Sequence, residues 1–198
     1  IPVILGNLFQ LFYTLADSVI VGKTLGADSL AAVGATSIII YFVFCFINGF
    51  TGGFGICLGQ RCGAKDEKGM RKSVAVSTLL SIIFTIVLTL ICCLLAHQIL
   101  RWMQIPEDIS GEAYDYMFVV LLGTGATVFY NMISNMLRAL GDSKTPLYFL
   151  IIATILNIFL ALLFIIQFGW GVPGSAVALV IAQGFSALLC IVYIVKKF

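Results

Sequence analysis

SLAAVGATSIIIYFVFCFINGFTGGFGICLGQ, residues 29–60, contains no Asp, Glu, Lys, Arg or His. An apolar α-helix needs about 20 residues to cross the roughly 30 Å hydrocarbon core of a bilayer, and this run exceeds that with room for tilt. The rest of the chain has the same character. Of 198 residues, 61% are hydrophobic and only 10% are charged, with a mean hydropathy of +1.12. A soluble domain carries about a quarter of its residues charged, so a water-soluble globular fold is excluded. The net charge of +2 is too small, and the basic residues too scattered, to argue for nucleic acid. Cys45, Cys57, Cys62, Cys92, Cys93 and Cys190 lie mostly inside apolar runs. With a single histidine they form no metal pattern, and a disulfide framework is not expected in so apolar a chain.

The chain therefore reads as an all-α membrane protein with six spans, at residues 1–22, 29–58, 73–97, 116–137, 146–167 and 174–195. The last two are separated by Gly169-Trp170-Gly171-Val172-Pro173-Gly174, where glycine and proline disfavour a continuous helix and supply a turn. Residues 97–116 read as an outer loop with a short interfacial helix around Trp102. Basic residues fix the orientation. With the N-terminal end inside, Arg61, Lys65, Lys68, Arg71, Lys72, Arg138, Lys144, Lys196 and Lys197 fall on the cytoplasmic side, against Lys23 and Arg101 outside. Both ends of this chain are then cytoplasmic, in a multi-pass protein of the inner (plasma) membrane. The chain opens on Ile1-Pro2 already within an apolar helix and without a methionine, so it is expected to be a piece of a longer protein. The opening segment lacks the basic leader and cleavage site of a signal peptide. No short internal repeat is evident.

Polar residues inside the spans carry the functional argument. A mid-helix carboxylate costs about 2.5–3.5 kcal/mol on insertion scales, which makes Asp17 a functional candidate by default. At 100° per residue, Gln10, Tyr13 and Asp17 share one helix face and form a polar stripe toward the bundle interior. Pro2 is placed to bend the same helix. Asn131 and Asn135 repeat the pattern one turn apart on the fourth span, and Asn157 stands in an apolar run on the fifth. An asparagine in lipid serves equally well as interhelical glue or as a site. Three of them together with an acid, a glutamine and a tyrosine favour a polar cavity. Ser77, Ser81, Thr85 and Thr89, like the pairs Gly49/Gly53 and Gly55/Gly59, read as close-packing stripes. Phe42, Phe44, Phe46, Phe50 and Phe54 read as lipid-facing or core. No catalytic residue is expected. Ser143 in Gly141-Asp142-Ser143-Lys144 invites a nucleophile reading, but the only histidine, His97, falls on the opposite side by the charge count. Asp17 also has no second intramembrane aspartate for proteolysis. No charge ring or carbonyl filter marks a channel.

Four stretches together resemble one transporter family. Leu11-Phe12-Tyr13-Thr14-Leu15-Ala16-Asp17-Ser18-Val19-Ile20-Val21-Gly22-Lys23, continued by Leu25-Gly26-Ala27 and Leu30-Ala31-Ala32-Val33-Gly34, resembles the first-helix signature of the MATE (multidrug and toxic compound extrusion) transporters. Gly59-Gln60-Arg61-Cys62-Gly63-Ala64-Lys65 and Leu137-Arg138-Ala139-Leu140-Gly141-Asp142-Ser143-Lys144-Thr145-Pro146 are similar to that family's first two cytoplasmic loops. Gly171-Val172-Pro173-Gly174-Ser175-Ala176-Val177-Ala178 is similar to the opening of its sixth helix.

The resemblance implies the N-terminal six-helix lobe of a twelve-helix transporter, with the C-terminal lobe absent from this chain. It implies an antiporter that exports amphipathic, cationic drugs or metabolites against inward protons or sodium, with no cofactor. It places cation coupling at Asp17 and Asn157, substrate contacts at Gln10, Tyr13, Asn131 and Asn135, and a helix bend at Pro2. The chain departs from the family at Ala161, where many relatives carry a second acid, and at Leu179, where they often carry threonine. Both changes remove oxygen ligands for sodium, so protons are the favoured coupling ion. A lipid-linked oligosaccharide flippase of the same superfamily is the alternative. Such proteins line their cavities with basic residues, and none lies in an apolar core here.

Overall fold

The charge-free run of residues 29–60 lies within one long helix. The structure, a computed structural model, describes residues 2–197, and the side chains of all of these except positions 2–4, 6, 7, 10, 13, 195 and 197. In chain order the helices are α1 (Pro2–Thr24), α2 (Ala27–Gly63), α3 (Glu67–Trp102), α4 (Glu107–Leu122), α5 (Thr124–Ala139), α6 (Lys144–Leu162) and α7 (Val172–Lys197), with a π-helical turn, Leu163–Gln167, extending α6. Among the described residues four helical segments are long and apolar enough to cross a membrane, and α4 with α5 makes a fifth if the bent pair is one span. At 1.5 Å per residue the 37 residues of α2 reach about 55 Å, so the helix continues beyond a 30 Å core.

Two departures from the expected spans have local causes. The helix that holds the expected fourth span begins ahead of Tyr116. It starts at Glu107, with Glu107 and Asp108 in the first turn, where carboxylates are favoured by the unpaired N–H groups and the helix dipole. No separate helix forms around Trp102, because α3 itself runs to that residue. The second departure is a 44° bend between α4 and α5, centred on Gly123, whose ψ is 0° rather than helical. A glycine is a common cause of so sharp a kink.

The connections are tight. Asp66 caps α3 by accepting the backbone N–H of Gly69 at 2.9 Å, and the Arg61 guanidinium donates to the Gly69 carbonyl at 2.8 Å. Asp142 accepts the backbone N–H and the hydroxyl of Thr145 at the start of α6, and the Tyr193 hydroxyl of α7 donates to it at 2.9 Å. This ties the α5–α6 turn to the far end of α7, and it gives Asp142, next to the discarded Ser143 nucleophile, a capping role. Between α6 and α7, Gly169 and Gly171 both hold φ of +63°, a conformation natural to glycine. That reversal lays the start of α7 back on the bundle.

Packing follows the small residues. α2 lies against α5, where a Cβ on Gly55 would stand 3.1 Å from the Asn135 carbonyl oxygen and one on Gly59 would stand 3.6 Å from the Ala139 methyl. Nothing among the described residues lies within 4 Å of a Cβ on Gly49 or Gly53, so that pair is not at a close helix contact there. On α3, Ser77 and Ser81 are buried, and the Ser81 hydroxyl donates to the Met132 sulfur at 3.0 Å. Phe50 stacks on Phe84 with centroids 3.9 Å apart, while Tyr41, Phe42 and Leu94 stand at least 70% exposed. Large apolar side chains exposed on this scale match a lipid or protein environment rather than water.

Candidate functional site

Asp17 sits seven residues before the end of α1 at Thr24, about 10 Å along the helix axis, and is 5% exposed. It is the one buried charged residue among those described. Burying a carboxylate is costly unless hydrogen bonds replace water, and two hydroxyls supply them. The Ser175 hydroxyl of α7 donates to Oδ1, and the Tyr116 hydroxyl of α4 donates to Oδ2 at 3.5 Å, the long limit of such a bond. The glycine turn brings Ser175 into the first turns of α7, and the N-terminal extension of α4 places Tyr116 inside a helix rather than at its edge. Val21, Val172, Ala176 and Leu179 belong to the apolar cluster around this group. Tyr116 and Ser175 are functional candidates that sequence reasoning missed. Their partner is 99 and 158 residues away along the chain, and no local signal links them to it.

Asn157 on α6 is fully buried, and neither its amide nitrogen nor its oxygen has a hydrogen-bond partner among the described residues. The structure does not join it to Asp17 by a hydrogen bond, although α1 packs on α6. A glue asparagine would be bonded across helices, and this one is not. Ala161, one turn later, is fully buried, and Leu179 is buried in the Asp17 cluster, so neither departure from the family pattern leaves an oxygen in its place.

The other candidates are dispersed. The Asn131 amide donates to the Thr127 carbonyl of its own helix at 2.8 Å. The Asn135 amide donates to the Thr51 hydroxyl of α2 at 3.2 Å, and that hydroxyl donates on to the Ile47 carbonyl at 2.8 Å. Asn135 is therefore an interhelical tie at the Gly55 contact. Intramembrane bonds of this kind average about 0.6 kcal/mol and reach about 1.7. Asn135→Ala is accordingly expected to lower the thermal unfolding temperature in detergent only slightly, and Thr51→Val equally. A loss of transport out of proportion to that shift would instead mark Asn135 as a substrate contact. The side chains of Pro2, Gln10 and Tyr13 lie outside the described residues. Thr85, Thr89 and Ser186 carry buried hydroxyls without partners among the described residues, and Gln183 is also buried, so the interior is more polar than the asparagines alone suggested.

Comparison with known proteins places this arrangement. The MatE family model matches residues 2–163. The chain is 35% identical over 195 residues to the probable multidrug resistance protein YpnP of Bacillus subtilis (strain 168), a match covering 98% of this chain and 44% of that protein. A crystal structure of MATE in the bent conformation superposes with a TM-score of 0.93 at 28% identity, over all of this chain and 44% of the other. A MOP superfamily transporter from Pyrococcus furiosus gives 0.91 at 28% identity, over 98% of this chain and 42% of the other; in that transporter reverse polarity of the binding pocket suggests a different function. The chain thus spans less than half the length of the relatives it matches. It belongs to the MatE family, and its length corresponds to one lobe of the matched structures.

Proposed function

We propose that this chain is the N-terminal lobe of a secondary antiporter that exports amphipathic, cationic compounds in exchange for inward protons, with Asp17 as the coupling group. The observation that carries the reading is Asp17 itself, a charged residue buried in the lobe and held by two hydroxyls. Hydroxyls both donate and accept, so Ser175 and Tyr116 accommodate a carboxylate and a carboxylic acid alike. A lysine or arginine partner would hold the group ionised. Loss of the negative charge on protonation weakens the hold on a cationic cargo, and its return restores it. A proton entering as one monovalent cation leaves moves no net charge, so one-for-one exchange draws on the pH difference alone, about 1.4 kcal/mol or tenfold accumulation per pH unit. A second proton per cycle would add the membrane potential, about 2.3 kcal/mol per 100 mV. Lobes related by a pseudo-two-fold axis rock against each other for alternating access, so the partners are the C-terminal lobe of the same parent chain, the lipid bilayer and the small-molecule cargo.

Sodium is the second coupling ion to weigh. Asn157, with an unpartnered buried oxygen, supports a ligand role beside Asp17, while Ala161 and Leu179 offer no further oxygen. The flippase alternative needs basic residues in the cavity, and no lysine or arginine is buried among the described residues. The reverse pocket polarity of the Pyrococcus transporter is a reason to test charge, since one fold can carry pockets of different polarity.

The test is efflux of a fluorescent cationic dye from vesicles containing the full-length parent. An imposed proton gradient without sodium is expected to drive efflux, and a protonophore to abolish it. Efflux that needs sodium and ignores the protonophore would reassign the ion. Transport of a pyrophosphate-linked lipid with no dye efflux would overturn the antiporter reading.

A further inference from the structure

Away from Asp17, a cavity of about 800 Å³ opens where the ends of α2, α5 and α7 meet the start of α3. Its apolar wall is formed by Leu58, Val74, Leu140 and Ile194, side chains belonging to the apolar helices themselves. Its charged lining is Lys65, Glu67 and Arg71. Lys65 stands exposed in the α2–α3 turn with φ of +53°, and Arg71 is exposed on the first turns of α3. Neither makes a side-chain hydrogen bond among the described residues, whereas Arg61 is committed to the Gly69 carbonyl. Glu67 stands four residues before Arg71, a spacing at which the two offset each other, and Lys65 remains. Lys68 and Lys72 lie in the same basic run but do not line the cavity.

The lining therefore divides into an apolar wall continuous with the membrane-spanning helices and a positive edge at the helix ends. An occupant matching both is an amphiphile with a negative head. A free anion would leave the apolar wall unused, and a cationic amphiphile, the cargo class proposed above, is repelled at the edge. The volume lies in the range of small-molecule sites, and basic pockets between transmembrane helices on the cytoplasmic side suit anionic lipid headgroups. We propose that this cavity holds one anionic phospholipid, its phosphate between Lys65 and Arg71 and the first part of its acyl chains along Leu58, Val74 and Ile194.

The test titrates the full-length parent in neutral detergent with phosphatidylglycerol and with phosphatidylcholine of the same acyl chains, counting retained lipid by native mass spectrometry. Phosphatidylglycerol is expected to be retained about fivefold over phosphatidylcholine, since each basic contact near the surface contributes about fivefold and Glu67 offsets one of the two. The pair Lys65→Gln/Arg71→Gln should remove that preference. The pair Lys68→Gln/Lys72→Gln, an equal change of charge outside the cavity, should keep it. Leu140→Trp, which fills the cavity without altering charge, should displace the bound lipid and stands as the deciding variant if the first pair fails to elute as a folded species. Excess glycerol phosphate should not compete. Equal retention of the two lipids, equal loss in both charge pairs, displacement by glycerol phosphate, or no retained lipid because another segment of the parent fills the space would each overturn the proposal. The readout needs no transport, so its failure is separate from failure of the antiport reading.

Discussion

Asp17→Asn in the full-length parent is expected to abolish proton-driven dye efflux, by at least tenfold and down to background, at unchanged expression and without loss of stability. The two halves of that expectation come from the same geometry. Asparagine has nearly the shape of aspartate, its carbonyl oxygen can accept the Ser175 hydroxyl, and its amide can donate to the Tyr116 oxygen. The buried group becomes a hydrogen-bonded neutral amide, and removing an ionised group from a buried site relieves desolvation cost. The unfolding temperature in detergent should therefore stay level or rise. What the substitution removes is the capacity to take up and release a proton. A variant that folds as well as the parent and does not couple separates a coupling role from a packing role.

The surrounding hydroxyls should grade the effect. Ser175→Ala removes the closer of the two donors and Tyr116→Phe the one at the long limit, so efflux should fall further in the first. A charge-assisted hydrogen bond contributes about 1.5–3 kcal/mol, which leaves each single variant short of the full loss seen at Asp17. Efflux unchanged in Asp17→Asn would end the coupling mechanism and return the residue to a packing role. Efflux lost only together with the folded protein would do the same.

Why Asp17 was legible from sequence while its partners were not is a matter of range. A carboxylate in an apolar run is a local conflict, visible from a few neighbours. The serine and tyrosine that resolve it arrive from α7 and α4 and depend on where those helices begin. The start of α4 was itself hidden, because Glu107 and Asp108 look like loop residues until they are placed on the first turn of a helix. Long apolar helices were readable because crossing a membrane is a requirement on length and composition alone. Close packing was readable only by half. Gly55/Gly59 and Gly49/Gly53 are indistinguishable as spacings, and only the first pair meets α5. For Asn135 the sequence left glue and site in balance, and the bond to Thr51 supplies the glue without excluding the site. Asn157, with the same side chain, has no bond among the described residues. Two identical residues in similar runs differ because of what other helices place beside them.

The bend at Gly123 yields the largest expected effect on stability. Its φ is −76°, a value any residue adopts, so the glycine is not required by backbone conformation. It is required by α7. A Cβ at position 123 would run into the Val180 Cγ2 atom, with the Val180 Cγ1 and Cβ atoms at 2.9 and 3.0 Å. Turning the valine about its Cα–Cβ bond exchanges one clash for another, because all three atoms are close and a β-branched side chain has little rotamer freedom. Gly123→Ala should therefore destabilise the lobe by about 1–3 kcal/mol through overpacking, against a gain of about 0.4–1 kcal/mol from the less flexible unfolded chain. Gly111 on α4 separates the two effects, since nothing lies within 4 Å of a Cβ there. Gly111→Ala should leave the unfolding temperature level or raise it, while Gly123→Ala should lower it by several degrees. Val180→Ala removes the atoms in conflict, so the double variant Gly123→Ala/Val180→Ala should be more stable than the sum of the singles predicts, within the 0.5–3 kcal/mol range of contacting pairs. Additive losses would mean that the bend, rather than the valine seated in it, is what position 123 protects.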